Sequence, residues 1–279
     1  MDLLASPDSP RLYAYTGGKP FDAAKPTVVF VHGAQHDHSV WILQSRYLAH
    51  HGYSVLAVDL PGHMRSAGPA LESVEAIADR LAGALAVANV ERSIVVGHSM
   101  GSLVALEVAR RLPDAVRGVG LVATAFPMRV ADALLGATRA SPGEALDMIN
   151  VWSHSPSIAG FDRKPSNPAP GFSIMWQNLR LMQQVHRRNG DSVLPADFAA
   201  CNRYAAGLEA AAALPCPALF VLGASDVMTP PRAARALIDA CRDAEVVTLP
   251  HAGHALMAEN PNGVREALVR FAARMFPTG

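Results

Sequence analysis

Residues 93–111 read SIVVGHSMGSLVALEVARR. The first half is a short β-branched run and the second is rich in alanine, leucine, glutamate and arginine. A strand that passes straight into a helix must turn at Gly97-His98-Ser99-Met100-Gly101. The chain folds tightly around Ser99, so its neighbours two places away on each side must be small, and both are glycine. Such a turn lifts the serine Oγ above the sheet edge. It also aims the Met100 N–H at whatever Ser99 attacks, and the helix N-terminus favours a developing negative charge there.

The same alternation runs through the chain. Apolar β-branched runs predict strands over 26–33, 53–63, 93–99, 116–124, 217–225 and 244–250. Helical patterns lie between them at roughly 40–51, 72–89, 100–112, 231–241 and 260–275. Strands alternating with helices imply an α/β fold: a mostly parallel sheet with flanking helices on both faces. No repeat of 20–50 residues is found. Residues 126–215 carry no strand pattern and read as a helical insertion, which leaves 1–125 and 216–279 as the core. Within the insertion, GFDRKPSNPAPGF (160–172) reads as a long loop. Met148, Trp152, Met175, Trp176, Met182 and Tyr204 either fasten the insertion to the sheet or line a pocket.

Lys+Arg and Asp+Glu both number 24, so no basic face invites nucleic acid, and a small, weakly charged molecule is the expected partner. Cys201, Cys216 and Cys241 are widely spaced and form no metal-ligand pattern, so free thiols in a reducing compartment are expected. The opening MDLLASPDSP has no cationic start and no long apolar stretch. No apolar run reaches the roughly 18 residues that span a bilayer. A cytoplasmic monomer or homodimer without membrane contact is the expectation.

A serine alone is a poor nucleophile; it needs a base within hydrogen-bond reach and an acid to orient that base. Where this turn carries a nucleophile, the chain order is serine, then acid, then histidine. Asp226 directly follows PALFVLGAS, and His254 follows AEVVTLP in HAGHALMAENP. Both emerge at C-terminal strand ends, on the edge where Ser99 sits and where open α/β sheets bind ligands. His251 competes as base; Asp132 and Asp239 fall in helical or cap territory. Two N–H groups should face a developing oxyanion: Met100, and Ala34 in VHGAQHDHSVW, with Gln35 as the alternative.

Together FVHGA, DLPGH, VVGHSMGS, LGASDVMTP and HAGHALMAENP make the sequence resemble the α/β-hydrolase superfamily, in its esterase-like branch with a helical cap. The five motifs appear in the family's order and cover the chain from about residue 11 to 276. The resemblance implies an eight-stranded, mostly parallel sheet with a cap inserted after the sixth strand. It implies cleavage of a carboxylic ester of small or medium, largely apolar character through an acyl-enzyme, with no metal or organic cofactor. Gln35, His36, Met64, Phe126, Trp152 and Trp176 are the expected pocket residues. Relatives that cleave carbon–halogen bonds or epoxides use aspartate at the elbow, and position 99 is serine.

Two departures stand out. Pro61-Gly62-His63-Met64 replaces the frequent Pro-Gly-His-Gly, so Met64 either narrows the pocket or packs outside it. His36, Asp37 and His38 make the oxyanion loop unusually polar, and a metal there would need a further ligand. His98 and His32 are expected to be structural, the latter bracing the loop; Trp41 packs the first helix or floors the pocket. A lactone, a diketone carbon–carbon bond or acyl transfer would use the same three residues. A ligand-binding or signalling protein on a hydrolase scaffold is the alternative of another class.

Overall fold

A computed structural model describes residues 1–6, 9–155 and 173–277. Eight strands form one sheet: β1 (Asp2–Leu3), β2 (Leu12–Tyr15), β3 (Thr27–Val31), β4 (Ser54–Val58), β5 (Ser93–His98), β6 (Val116–Val122), β7 (Ala218–Gly223) and β8 (Ala244–Leu249). Their spatial order is β1-β2-β4-β3-β5-β6-β7-β8. β1 and β2 pair antiparallel, β2 joins β4 antiparallel, and every later pairing is parallel.

The central strands are apolar on both faces because helices cover both. All five residues of β3 are buried, and period-two alternation sends them to opposite sides. Val29 and Val31 join a core cluster with α2 (Val74–Val87) and α3 (Met100–Arg111). Val28 and Phe30 join a second cluster with α1 (Ile42–Ala49), which follows a short 3-10 turn at His38–Trp41, and with the C-terminal helix at Pro261–Met275. The C-terminal helix starts where the sequence says it should: the Asn260 Oδ1 accepts the Gly263 N–H at 3.0 Å and Pro261 opens the first turn.

Between β6 and β7 lie α4 (Asp132–Ala140), α5 (Pro142–Ser153), α6 (Ile174–Asn189), α7 (Val193–Arg203) and α8 (Gly207–Ala212), with no strand among the described residues. Leu134, Leu146, Ile149, Met182 and Phe198 form a separate apolar cluster shared by α4 to α7. α8 differs: Ala210 and Ala211 belong to the main core. The GFDRKPSNPAPGF segment lies outside the described residues. After β7 come α9 (Arg235–Ala240), α10 (Leu256–Glu259) and α11, the helix over Pro261–Met275.

Register sets up the site. Val31 of β3 stands beside Gly97 of β5, which stands beside Leu121 of β6. Gly223 of β7 stands beside Leu249 of β8. The loops after β3, β5, β7 and β8 therefore leave the same edge side by side.

Candidate active site

Ser99 joins β5 to α3 with φ 53° and ψ −122°, a backbone conformation that side-chain-bearing residues rarely adopt. The tightness of the turn explains its glycines. A Cβ on Gly97 would run into the carbonyl of Gly101 and lie 2.6 Å from Ser102 N. A Cβ on Gly101 would meet the carbonyls of His32 and Val31, the latter at 2.6 Å. The first turn of α3 thus sits directly against the end of β3, beside the loop that carries Ala34.

Ser99, His254 and Ala34 line one cavity of about 410 Å³. Its floor comes from the strand-end loops and its roof from the inserted helices, through Leu134, Ile149, Trp152 and Phe198. Most of the lining is apolar.

The buried Asp226 carboxylate accepts from His254 Nδ1 at 2.9 Å through Oδ2. Its Oδ1 accepts the N–H groups of Met228 and Thr229, at 2.8 and 2.9 Å. Thr229 Oγ1 lies 2.7 Å from Oδ2 and 3.0 Å from His254 Nδ1. Burial opposes ionisation of Asp226, but the His254 ring and the Thr229 donors outweigh it and lower its pKa from an ordinary 3.8 to about 2. With Nδ1 turned to Asp226, Nε2 is the nitrogen left for proton exchange. His251, the rival base, is exposed, and Asp239 is paired with Arg235 on the surface at 2.9 Å.

The depressed Asp226 pKa has a stability consequence. A carboxyl whose folded pKa lies below its unfolded value stabilises the fold above about pH 4, and that contribution disappears as pH falls through about 2. The shift corresponds to about 2 kcal/mol. In denaturant titrations, the stability gap between wild type and Asp226→Asn is expected to shrink by about this much between pH 6 and pH 2. A gap that does not change with pH would contradict a carboxylate stabilised by the His254 and Thr229 donors.

His98 is buried between Trp41 and His254, and its Nε2–H donates to the His254 carbonyl at 2.9 Å. Burial and the neighbouring His254 ring hold its pKa well below the usual imidazole range, so it braces the His254 loop as a neutral ring. His32 does the same for the loop after β3: Nδ1–H donates to the Gly33 carbonyl at 2.8 Å and Nε2 accepts the Leu60 N–H at 3.0 Å. Trp41 is fully buried against Phe30, so it packs rather than floors the cavity.

The expected pocket residues divide. Trp152 and His36 line the cavity. His36 also bridges the Ala34 carbonyl at 2.6 Å and Asn178 Oδ1 at 2.8 Å. Gln35 is fully buried; its N–H donates to Asp197 Oδ2 at 2.8 Å and its amide to the Met182 carbonyl at 3.2 Å, so its N–H does not face an oxyanion. Met64 is held at the loop's outer side by Asn189 and Arg188, outside the cavity wall. Phe126 packs edge-on to Tyr204 and fills the space above Gly207. Trp176 is 62% exposed with Arg180 over its ring. A helical pattern does not reveal which face of α6 looks inward, and here Met182 does.

Asp37, His38 and Asp59 bring their potential ligand atoms within 4.8 Å of one another. Those atoms are engaged with protein partners: His38 Nδ1 with Asp59 Oδ1 at 2.7 Å, and Asp37 Oδ1 with the Ser39 N–H at 2.7 Å. Cys201 lines the cavity, with burial pushing its thiol above the ordinary range. Thr229 and Asp197 escaped sequence reasoning. Thr229 had a signal, standing three residues after Asp226 in DVMTP. Asp197 had none.

This elbow, with a buried Asp–His pair on the same sheet edge, defines a class of α/β enzymes. Residues 28–267 match the model of the Alpha/beta hydrolase family, and the chain belongs to that family. It is 33% identical over 231 residues to the pimeloyl-[acyl-carrier protein] methyl ester esterase of Chromobacterium violaceum, covering 82% of this chain and 87% of that one. Est816, an N-acyl homoserine lactone degrading enzyme, has the same fold at a TM-score of 0.78 and 20% identity, with 97% of this chain and 100% of that chain covered. The enol-lactonase from Burkholderia xenovorans LB400 has a TM-score of 0.76 and 21% identity over 94% of this chain and 96% of that chain. Among the described residues, no helix is long and apolar enough to cross a membrane.

Proposed function

We propose that this chain is a serine hydrolase that cleaves a carboxylic ester of small or medium, largely apolar character through an acyl-enzyme. The observation that carries the reading is the Asp226–His254 hydrogen bond at the wall of the cavity that Ser99 enters. The inserted helices act as a cap over the acyl group. The cavity's size lies within the range of small-molecule sites, and its apolar lining suits a hydrocarbon acyl chain. The methyl ester esterase among the relatives supports an open-chain ester ahead of a lactone or a carbon–carbon bond.

The substrate carbonyl lies over Ser99 with its oxygen toward the N–H groups of Met100 and Ala34. His254 Nε2 takes the Oγ proton as Oγ attacks, and the resulting negative charge falls on the carbonyl oxygen. Each donor to that oxyanion is worth about 3 kcal/mol in the transition state. Asp226 holds the His254 tautomer and stabilises the imidazolium, which then protonates the departing alcohol. Water enters, loses a proton to the same nitrogen and releases the acid.

The test is hydrolysis of nitrophenyl esters of rising acyl length by the purified full chain. The expected result is turnover with an optimum at short to medium acyl length. No turnover at any length would overturn the ester reading.

A further inference from the structure

One carboxylate oxygen in this fold accepts two donors from two separate loops. Asp197 Oδ2, on α7, takes the Gln35 N–H at 2.8 Å and His63 Nε2 at 3.0 Å, and all three residues are buried. We propose that Asp197, clamped to His63, is a positioning residue that sets the oxyanion loop for the Ser99 reaction. The inference rests on the hydrolase reading given above.

The geometry of two consecutive peptides carries the argument. The first joins Gly33 to Ala34; His32 Nδ1–H holds its carbonyl at 2.8 Å. A trans peptide is planar, so the Ala34 N–H of the same unit is aimed the opposite way. The second joins Ala34 to Gln35. Its carbonyl contacts His36 Nδ1 at 2.6 Å and its N–H is held by Asp197. Gln35 stands at φ 57°, a left-handed conformation that a glutamine adopts only when its surroundings enforce it. Asp197 is the acceptor that enforces it.

The clamp is itself anchored. His63 Nδ1 lies 3.1 Å from the Pro61 carbonyl and Nε2 3.0 Å from Asp197 Oδ2, so both ring nitrogens face acceptors, an arrangement that favours the positively charged ring. Burial opposes that charge, but Asp197 beside it outweighs burial and raises the His63 pKa. Asn178 on α6 holds His36 from the other side at 2.8 Å. The grips on Gln35 and His36 therefore come from the inserted helices, which link their seating to catalytic competence.

The test compares Asp197→Leu, Asp197→Ala and Asp197→Asn with wild type in the full chain. Leucine and alanine both remove the acceptor, one filling the space and the other leaving it open, so the folded variant of the two can be used. Asparagine keeps an oxygen for the Gln35 N–H. Reactive Ser99 is counted by titration with a nitrophenyl phosphonate, and kcat is expressed per titrated serine. A displacement of a catalytic group by about 1 Å costs roughly 10²-fold in rate. The expected result is a kcat about 10²-fold lower for leucine or alanine, KM within about twofold, and asparagine within about fivefold of wild type. A variant that merely folds less well would lose titratable serine and keep its kcat per site. Unchanged kcat per site without the acceptor, or asparagine falling as far as leucine, overturns the inference while the hydrolase reading stands. A wild type that neither turns over esters nor is titrated overturns both.

Discussion

Ser99→Ala is expected to lower kcat on any ester the wild type hydrolyses by about 10⁶-fold, the loss seen when a triad nucleophile is removed. The substitution deletes one oxygen at the cavity wall and leaves the Asp226–His254 pair and the loop after β3 in place. KM should therefore change little. A residual rate of roughly 10³-fold over water should survive, because oxyanion donors and binding act without the nucleophile. Alanine meets the same strained backbone that serine does at φ 53°, so the thermal midpoint should stay within a few degrees. Steady-state kinetics and a melting curve on the same preparation check both parts. Wild-type-like turnover would remove Ser99 from the chemistry.

Gly97→Ala is the substitution expected to damage the fold most. Its new Cβ would strike the Gly101 carbonyl and press on Ser102 N, which are backbone atoms of the α3 first turn. No side chain can swing aside, so α3 must move off the end of β3. Overpacking of this kind costs on the order of 4 kcal/mol or more, which lowers the thermal midpoint by roughly 10 °C in a chain of this size. Gly136 in α4 is the control: a Cβ there meets nothing within 4 Å. Gly136→Ala should be neutral or stabilising by up to about 1 kcal/mol, through helix propensity. Equal melting points for the two variants would contradict the close approach at the elbow.

The parts of the fold that were readable from sequence are those where local pattern and tertiary role coincide. β3, β5 and β7 are buried on both faces, so their apolar runs are unbroken and end at glycine or at the elbow. The strand expected over 53–63 stops at Val58 instead, because Asp59 to Met64 leave the sheet as a loop. β1 and β2 have only two and four residues and sit at the edge, too short for an apolar run; only the family resemblance implied a count of eight. At the site, the pairing of Asp226 with His254 was legible because each follows a recognisable strand on the same edge. Gln35, Met64, Phe126 and Trp176 were misplaced because a pocket wall depends on how helices dock, and one sequence carries no register for that. Gln35 shows the difficulty most clearly: its N–H is taken by Asp197, 162 positions away along the chain.

The central claim is that Ser99 carries the acyl group during turnover, and trapping that intermediate tests it most directly. The full chain is mixed with a nitrophenyl ester, quenched in acid within milliseconds, digested and read by mass spectrometry. The account predicts the acyl mass on the peptide containing Ser99, formed in a burst equal to the enzyme concentration where deacylation is the slower step. Turnover with no acyl mass on Ser99, or with the mass on another residue, would contradict it.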